Sequence, residues 1–503
     1  MRFWIVPALA ILAITGRLSA AEQAPHRRPN IVFILTDDLG WCDLGCYGST
    51  FYETPHLDRL AAEGMRFTEA YAACNVCSPT RASILTGKYP ARLHLTNFIG
   101  GDRRGKLNPA AYLHHLPLEE FTLAKALKEG GYTNGFFGKW HLGGKPFYPQ
   151  HQGFDVNVGG CEYGSPPTYF SPYRIPTLPD GPKGEYLTDR LTDEAINFVE
   201  KNKDKPFFLY LCHYAVHIPQ QAKASIVAKY RAKAKQLPPS AGHEFLPEGE
   251  VQTRQIQNNP VYAAMVESVD QSVGRILQTL DDLRLRDNTI VVFNSDNGGL
   301  SSSTEGAPTS NVPLRAGKGW NYEGGLREPL IVRWPATIKP GSTCATAVIS
   351  NDYYPTLIEA AGLPPRPRQT LDGVSLLSLW KGGALAERPL FWHYPHYSNQ
   401  GGGPSGAIRV GDFKLIEWFE TMHIELYNIE DDLGEHRDLS KSMPAKTAAL
   451  RDQLHAWRKS VDATMPTPNP DYTPLKARRL GILDGGHLPT SYVVTQTADE
   501  ADD

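Results

Sequence analysis

Two acidic stretches stand directly after short apolar runs. Thr36-Asp37-Asp38 follows IVFIL (31–35), and Asn294-Ser295-Asp296-Asn297-Gly298-Gly299 follows TIVVF (289–293). Brought together, the carboxylates of Asp37, Asp38 and Asp296 repel one another unless a cation sits between them. With the Asn297 amide they form an all-oxygen set, which suits a hard cation such as calcium or magnesium better than zinc. Taken singly, Asp37 reads equally well as a helix N-cap and Asp296-Asn297-Gly298 as a turn. Both stretches lie at the ends of candidate strands, where open α/β sheets collect functional groups, and this favours a shared site.

The third chemical element is AACNVCSPTRASILTGKYP (72–90). Cys74 and Cys77 have the CxxC spacing of a disulfide, a redox pair or half a zinc site. Read forwards instead, Ser78 as N-cap and Pro79 in the first turn predict a helix continuing through Ala82–Leu85. Cys77 then sits at a helix start, where free N–H groups and the helix dipole favour anions. Arg81, four residues on, folds back towards it. A nucleophile precursor, a cation and an anion-binding helix start suit chemistry on a sulfate or phosphate. Three more segments carry basic side chains: Lys139 and His141, which share a face if extended; His213 with His217-Ile218-Pro219; and the Gly-rich GKGWNYEGGLREP (317–329), with Lys318 and Arg327. Singly, each of these is more often a structural or surface group than a ligand contact.

The elements that must position these groups form a repeating pattern. Continuous apolar runs at Ile31–Leu35, Thr133–Phe137, Phe207–Cys212, Thr289–Phe293 and Leu330–Trp334 predict buried, mostly parallel strands. Between them, helices are predicted over His56–Tyr71, Thr122–Glu129, Leu187–Lys203 and Pro260–Leu283. Strands alternating with helices predict an α/β fold, a large mostly parallel sheet sandwiched by helices. After about residue 385 the pattern becomes PLFWHY, GAIRVGDFKLIEW and IELYNIEDD, short strands with polar turns, followed by a helix over Pro444–Val461. This predicts a small antiparallel sheet carrying one helix.

The expected organisation is a signal peptide over 1–21, a main α/β domain over 28–385, a small subdomain over 386–465 and a tail over 466–503. The signal peptide rests on Arg2, an apolar run from Phe3 to Ile14 and small residues at 19–21, a run too short to span a bilayer. It predicts export to the periplasm or outside the cell, with no membrane span after cleavage. The 503 residues are 41% hydrophobic with a net charge of −3, ample for a core and without the basic excess of a nucleic-acid binder. Seven cysteines (42, 46, 74, 77, 161, 212 and 344) are too few, and odd in number, for a disulfide framework.

With these residues in place the chain resembles the formylglycine-dependent (type I, arylsulfatase-like) sulfatases of the alkaline-phosphatase-like superfamily. The matching pieces, in the family's order, are RPNIVFILTDDLGW (28–41), CSPTRASILTGKYP (77–90), GKWHLG (138–143), His217-Ile218-Pro219, SDNGG (295–299) and GKGWNYEGGLREP (317–329), with ELYNIEDDLGEHRDLS (425–440) in the small subdomain. The resemblance implies that a formylglycine-generating enzyme oxidises Cys77 to formylglycine (3-oxoalanine). Hydrated, that residue attacks the sulfur through one hydroxyl and expels sulfate through the other. It also implies one Ca2+ held by Asp37, Asp38, Asp296, Asn297 and the modified Cys77. Arg81 and Lys139 would steady the nucleophile, His141 would be the base for sulfate release, and Lys318 and His217 would contact the sulfate and its bridging oxygen. The family often has Pro-His-x-Pro where this chain has Val216-His217-Ile218-Pro219, which leaves His213 as an alternative to His217.

The implied function is hydrolysis of a sulfate ester, with an O-sulfated sugar of a sulfated polysaccharide as substrate. The alternative is a phosphodiesterase or phosphonate monoester hydrolase of the same superfamily, disfavoured by the one-metal ligand set. For the sugar, the 92–118 segment offers Arg103, Arg104, His114 and His115, and the FWHYPHY run offers His393 and His396 beside aromatic rings.

Overall fold

Residue 1 and residues 28–238, 242–304 and 306–473 are described by the computed structural model. The expected signal peptide, Met1 aside, and the tail beyond 473 lie outside them. The five apolar runs all form strands: β1 (Asn30–Thr36), β3 (Thr133–Gly138), β5 (Phe207–Cys212), β6 (Thr289–Ser295) and β7 (Arg327–Arg333). To these the structure adds β2 (Met65–Tyr71), β4 (Val156–Val158), β8 (Ser342–Cys344) and β9 (Val348–Ile349). The nine make one sheet in the order β8-β2-β7-β6-β1-β5-β3-β4, with β9 also pairing β2. Only β7 runs against its neighbours, antiparallel to both β2 and β6.

Burial on both faces explains the unbroken apolar runs. Val32 and Ile34 of β1 pack with α1 (Pro55–Glu63), α4 (Leu187–Asn202) and α5 (Pro260–Asp282). Ile31, Phe33 and Leu35 pack on the other face with α2 (Cys77–Thr86), α3 (Leu123–Glu129) and α6 (Tyr353–Ala360). Sequence cues set several helix starts. Thr122 caps α3 by accepting from Lys125 N at 3.2 Å, and Asn259 caps α5 by accepting from Val261 N at 2.9 Å.

The helix expected over His56–Tyr71 is corrected: it ends at Glu63, and Met65–Tyr71 is a strand. Gly64 makes the break. A side chain there would lie 2.3 Å from the Val332 carbonyl oxygen, so the chain can pass close to β7 only with glycine. Apolar residues at 65, 67, 70 and 71 fit a helical or a strand period, and pairing with β7 selects the strand. Helix α2 starts two residues earlier than expected from Ser78 as N-cap. Val76 is the extended N-cap, and Cys77 is the first helical residue.

The C-terminal region is a four-stranded antiparallel sheet of β10 (Leu390–Tyr394), β11 (Ser405–Val410), β12 (Phe413–Trp418) and β13 (Ile424–Asn428). Leu450 and Leu454 of α7 (Pro444–Ser460) pack on it. Its core is continuous with the edge of the large sheet, because Tyr71, Trp320, Leu326 and Ile349 belong to the same apolar cluster. At this junction Lys414 of β12 lies buried between Glu323 (2.9 Å) and Glu435 (3.0 Å). Tyr71 donates to Glu323 Oε2 at 2.7 Å. The Lys414→Met substitution leaves two buried carboxylates facing each other. The expected loss is about 3 kcal/mol in chemical denaturation, partly restored by adding Glu435→Gln.

Among the described residues no helix is long and apolar enough to cross a membrane.

Candidate active site

Parallel registration brings the motif residues to one level. Thr36 pairs with Ser295, Leu35 with Cys212, and Cys212 with Gly138. The chain therefore leaves β1, β6, β5 and β3 side by side, delivering Asp37-Asp38, Asp296-Asn297, the 213–219 segment and Lys139–His141 to one crevice. Asp38 (φ 64°) and His141 (φ 52°) adopt left-handed backbone conformations. For residues with a side chain such strain is sustained by surrounding structure and clusters at functional sites.

Three buried carboxylates meet three buried cations there. Lys139 Nζ lies 2.6 Å from Asp37 Oδ2, and Lys318 Nζ 2.7 Å from Asp38 Oδ1. Arg81 holds Asp296 Oδ2 through Nε at 2.8 Å and Nη2 at 2.7 Å, and donates to the Lys139 carbonyl at 2.9 Å. Asn297 Nδ2 donates to Asp38 Oδ1 at 2.8 Å. Burial, only partly offset by Lys139, raises Asp37 well above the usual carboxylate range. At Asp38 burial acts the same way but is outweighed by Lys318 and His217, which hold its carboxyl low.

The donor set fits a hard cation. Asp37 Oδ1 and Asn297 Oδ1 are buried without a hydrogen-bond partner, an arrangement that otherwise costs desolvation with no return. A ligand oxygen from each of Asp37 and Asp38 and a nitrogen of His217 lie within 4.8 Å of one another. Oxygen donors, neutral and anionic, around one point suit calcium. A dication there also relieves the crowding of the carboxylates and leaves positive charge over for an anionic ligand.

Beside this set Cys77 opens α2. Its Sγ lies 3.4 Å from His141 Nδ1. His141 Nε2 lies 3.2 Å from the Ile99 carbonyl oxygen, an atom that only accepts, so Nε2 carries the proton and Nδ1 presents its lone pair to residue 77. Burial and then Lys139 keep His141 well below its usual pKa, hence neutral. Gly164 makes room for this ring, since a side chain there would lie 2.5 Å from it. Ser78 ties the helix start to the same segment, donating to the His141 carbonyl at 2.9 Å.

A cavity of about 220 Å3 opens over Cys77, bordered by His141, His217 and Lys318. His217 Nε2 is 3.6 Å from Asp38 Oδ2, and its Nδ1 is held by the Ile218 carbonyl at 3.0 Å. His213 is fully buried, bonded to Ser272 Oγ at 3.0 Å, and burial takes its pKa down to about 3. Of the two histidines left open by the sequence, His217 is the one at the cavity.

The residues expected to bind sugar do not line this space. His393 is buried with Nε2 against the Thr464 carbonyl at 2.8 Å, and His396 is buried against Thr96 Oγ1 at 2.8 Å. His115 stacks on Phe147 with centroids 3.9 Å apart. Arg103 is half-buried and Arg104 exposed, and neither borders the cavity. The remaining walls come instead from Phe98, Ile99, Ser165, Leu300, Asn399 and Gln400. None of these carries a charge or a motif that marks it in the sequence.

Nor do the cysteines pair. All seven are free thiols, Cys74 packs with Val76 and Tyr394, and the CxxC spacing carries no bond.

Comparison with known proteins gives a consistent set of relatives. A family model described as Sulfatase matches residues 29–363, and one described as N-sulphoglucosamine sulphohydrolase, C-terminal, matches residues 316–460. The N-acetylgalactosamine-6-sulfatase of Canis lupus familiaris is 34% identical over 439 residues, covering 82% of this chain and 76% of that protein. A sulfatase of Formosa agariphila is 33% identical over 525 residues, covering 87% of this chain and 90% of that protein. The solved structure of Ps i-CgsB superposes with a TM-score of 0.71 at 29% identity, covering 91% of this chain and 98% of that one. The same protein has been solved in complex with k-i-k-neocarrahexaose.

Proposed function

The chain belongs to the sulfatase family of sulfuric ester hydrolases, with the alkaline-phosphatase-like fold, and on that premise we propose that it removes an O-sulfate from a sugar of a sulfated polysaccharide. It does so with a formylglycine made from Cys77 by a formylglycine-generating enzyme, and with one calcium ion. The observation that carries this reading is the meeting of Cys77, His141, Lys318 and His217 at one cavity, with Lys318 and His217 against Asp38, which is itself in contact with Asp296 and Asn297.

In the structure residue 77 is a cysteine, and its Sγ stands where the oxygen of the modified residue would be. The modified residue would supply a hydroxyl nucleophile that can afterwards return to an aldehyde, and calcium, which Asp37, Asp38, Asp296 and Asn297 would hold, would supply the charge that acidifies it. Position 77 at the start of α2 adds the helix dipole to that stabilisation. Arg81 and Lys139 lock Asp296 and Asp37 and add positive potential where charge shifts during transfer. Lys318, held protonated by Asp38, and His217 border the same cavity. They contact the sulfate and its bridging oxygen, and one of them delivers a proton to the departing alcohol. His141 Nδ1 takes the proton from residue 77 that releases sulfate.

The relatives support the sugar: one is named N-acetylgalactosamine-6-sulfatase and another is seen in complex with k-i-k-neocarrahexaose. The N-terminal pattern of residues 1–21 supports export to where such polymers are met. The test is a matched panel of sulfated mono- and oligosaccharides, aryl sulfate, aryl phosphate and an aryl phosphonate. Sulfate release is expected to exceed phosphate or phosphonate turnover by roughly a hundredfold in kcat/KM. Faster cleavage of the phosphorus esters would overturn the reading in favour of a phosphodiesterase or phosphonate monoester hydrolase.

A further inference from the structure

Part of the cavity wall comes from the loop between β10 and β11, in the small C-terminal sheet. This loop is firmly docked. Trp320 Nε1 donates to the Gln400 carbonyl at 2.8 Å, and Ser398 N donates to the Gly402 carbonyl at 2.7 Å. Gln400 N in turn donates to Ser398 Oγ at 3.0 Å. Trp320 stands two residues after Lys318, so the loop is registered directly against the catalytic segment.

Two amide side chains on this loop border the cavity. Asn399 Oδ1 is buried and has no hydrogen-bond partner. Gln400 Oε1 accepts from Ser398 Oγ at 2.6 Å, which leaves its Nε2 as a donor with no partner among the described residues. A buried unpartnered acceptor is costly in a native structure and calls for a ligand donor. Apart from Lys318 and the two histidines, the lining carries no ionisable side chain that would seat a second anion; the rest includes Phe98, Ile99, Ile218 and Leu300. A carboxylate or second sulfate against Asn399 Oδ1 would place lone pairs against a lone pair, whereas a hydroxyl satisfies it. The space, about 220 Å3, is below the roughly 300–1,000 Å3 of sites that enclose drug-sized ligands. It therefore takes one ring with its sulfate.

We propose that Asn399 and Gln400 are specificity-determining residues that read free hydroxyls on the ring whose sulfate is removed, so that the preferred ring is sulfated once and uncharged elsewhere. This rests on the sugar-sulfate reading above. Asn399 accepts from one hydroxyl and Gln400 donates to another, while the apolar residues cover the ring faces.

The experiment compares kcat/KM for a monosulfated sugar, its analogues deoxygenated beside the sulfate, and 4-nitrophenyl sulfate. In the unaltered enzyme one deoxy analogue is expected to react about tenfold more slowly than the parent sugar. Asn399→Leu and Gln400→Met are expected to lower the sugar-to-aryl ratio by a similar factor, and to lose nothing further on the matching deoxy analogue. Asn399→Asp, which keeps the acceptor, is expected to retain more of the ratio than Asn399→Leu. The proposal is overturned if both Leu and Met variants keep the ratio of the unaltered enzyme. If a variant does not fold, the deoxy series on the unaltered enzyme decides, and equal rates across it overturn the proposal. Aryl sulfate turnover with none on any sugar sulfate would remove the sugar reading itself, and this inference with it.

Discussion

Replacing Cys77 by alanine is expected to leave a folded protein whose sulfate release falls by on the order of 10^4-fold or more. Position 77 is the first residue of α2, 3% exposed, and its side chain reaches the cavity and His141 Nδ1 together. The variant loses one sulfur atom from a place where it bonds only to His141, so the fold changes little. What it loses, on the proposed mechanism, is the group that forms and breaks the bond to sulfur. Cys77→Ser separates two aspects of that role. A serine hydroxyl in the same place can attack once but has no second hydroxyl with which to expel sulfate, so it is expected to stall after at most one turnover. Mass spectrometry of the active, unaltered protein should show the Cys77 peptide lighter than its thiol form. Full activity with an unmodified Cys77 would sink the mechanism.

Stripping the protein with a chelator is expected to abolish activity and lower the melting transition, with calcium restoring both. A ligand that binds only the folded state stabilises it by about 2.7 kcal/mol at a hundred times its dissociation constant. The melting shift therefore reads calcium binding independently of catalysis. Asp37→Asn keeps the shape of the site and one oxygen but removes a charge. It is expected to move the calcium midpoint of the melting shift at least about tenfold upward. Asn297→Ala removes an oxygen now without a partner together with the Nδ2 bond to Asp38 Oδ1, so it is expected to weaken calcium and to cost the ion-free protein about 1 kcal/mol. Calcium without effect on either activity or melting of the stripped protein would show that the acidic set is held by Lys139, Lys318 and Arg81 alone.

Much of this architecture is legible in the chain because it is carried by short-range pattern. Runs such as IVFIL and TIVVF can be buried on both faces only in the middle of a helix-covered sheet. Parallel pairing then forces the residues just after them to one edge. That is why acidic and basic motifs far apart in sequence are legible as one group. The failures are equally local in origin. Met65–Tyr71 satisfies two periodicities at once, and its conformation was settled by the neighbouring edge of β7. His393 and His396 resemble ligand-facing side chains in FWHYPHY, yet the small sheet and its neighbours bury both and give each ring a partner within the protein.

The sequence by itself determined which groups gather at the site: Cys77 at a helix start, the oxygens of Asp37, Asp38, Asp296 and Asn297, and the cations Arg81, Lys139 and Lys318 beside them. These depend on residue type, and on a placement that strand ends dictate. Tertiary structure alone decided what surrounds that centre. It selected His217 over His213 by burying the latter against Ser272. It also brought Asn399 and Gln400 over Cys77 by docking the β10–β11 loop on Trp320. The physical reason is range. Amides and apolar residues in a loop carry no charge, period or spacing that marks a site, and they acquire a role only through the packing that fixes what they face.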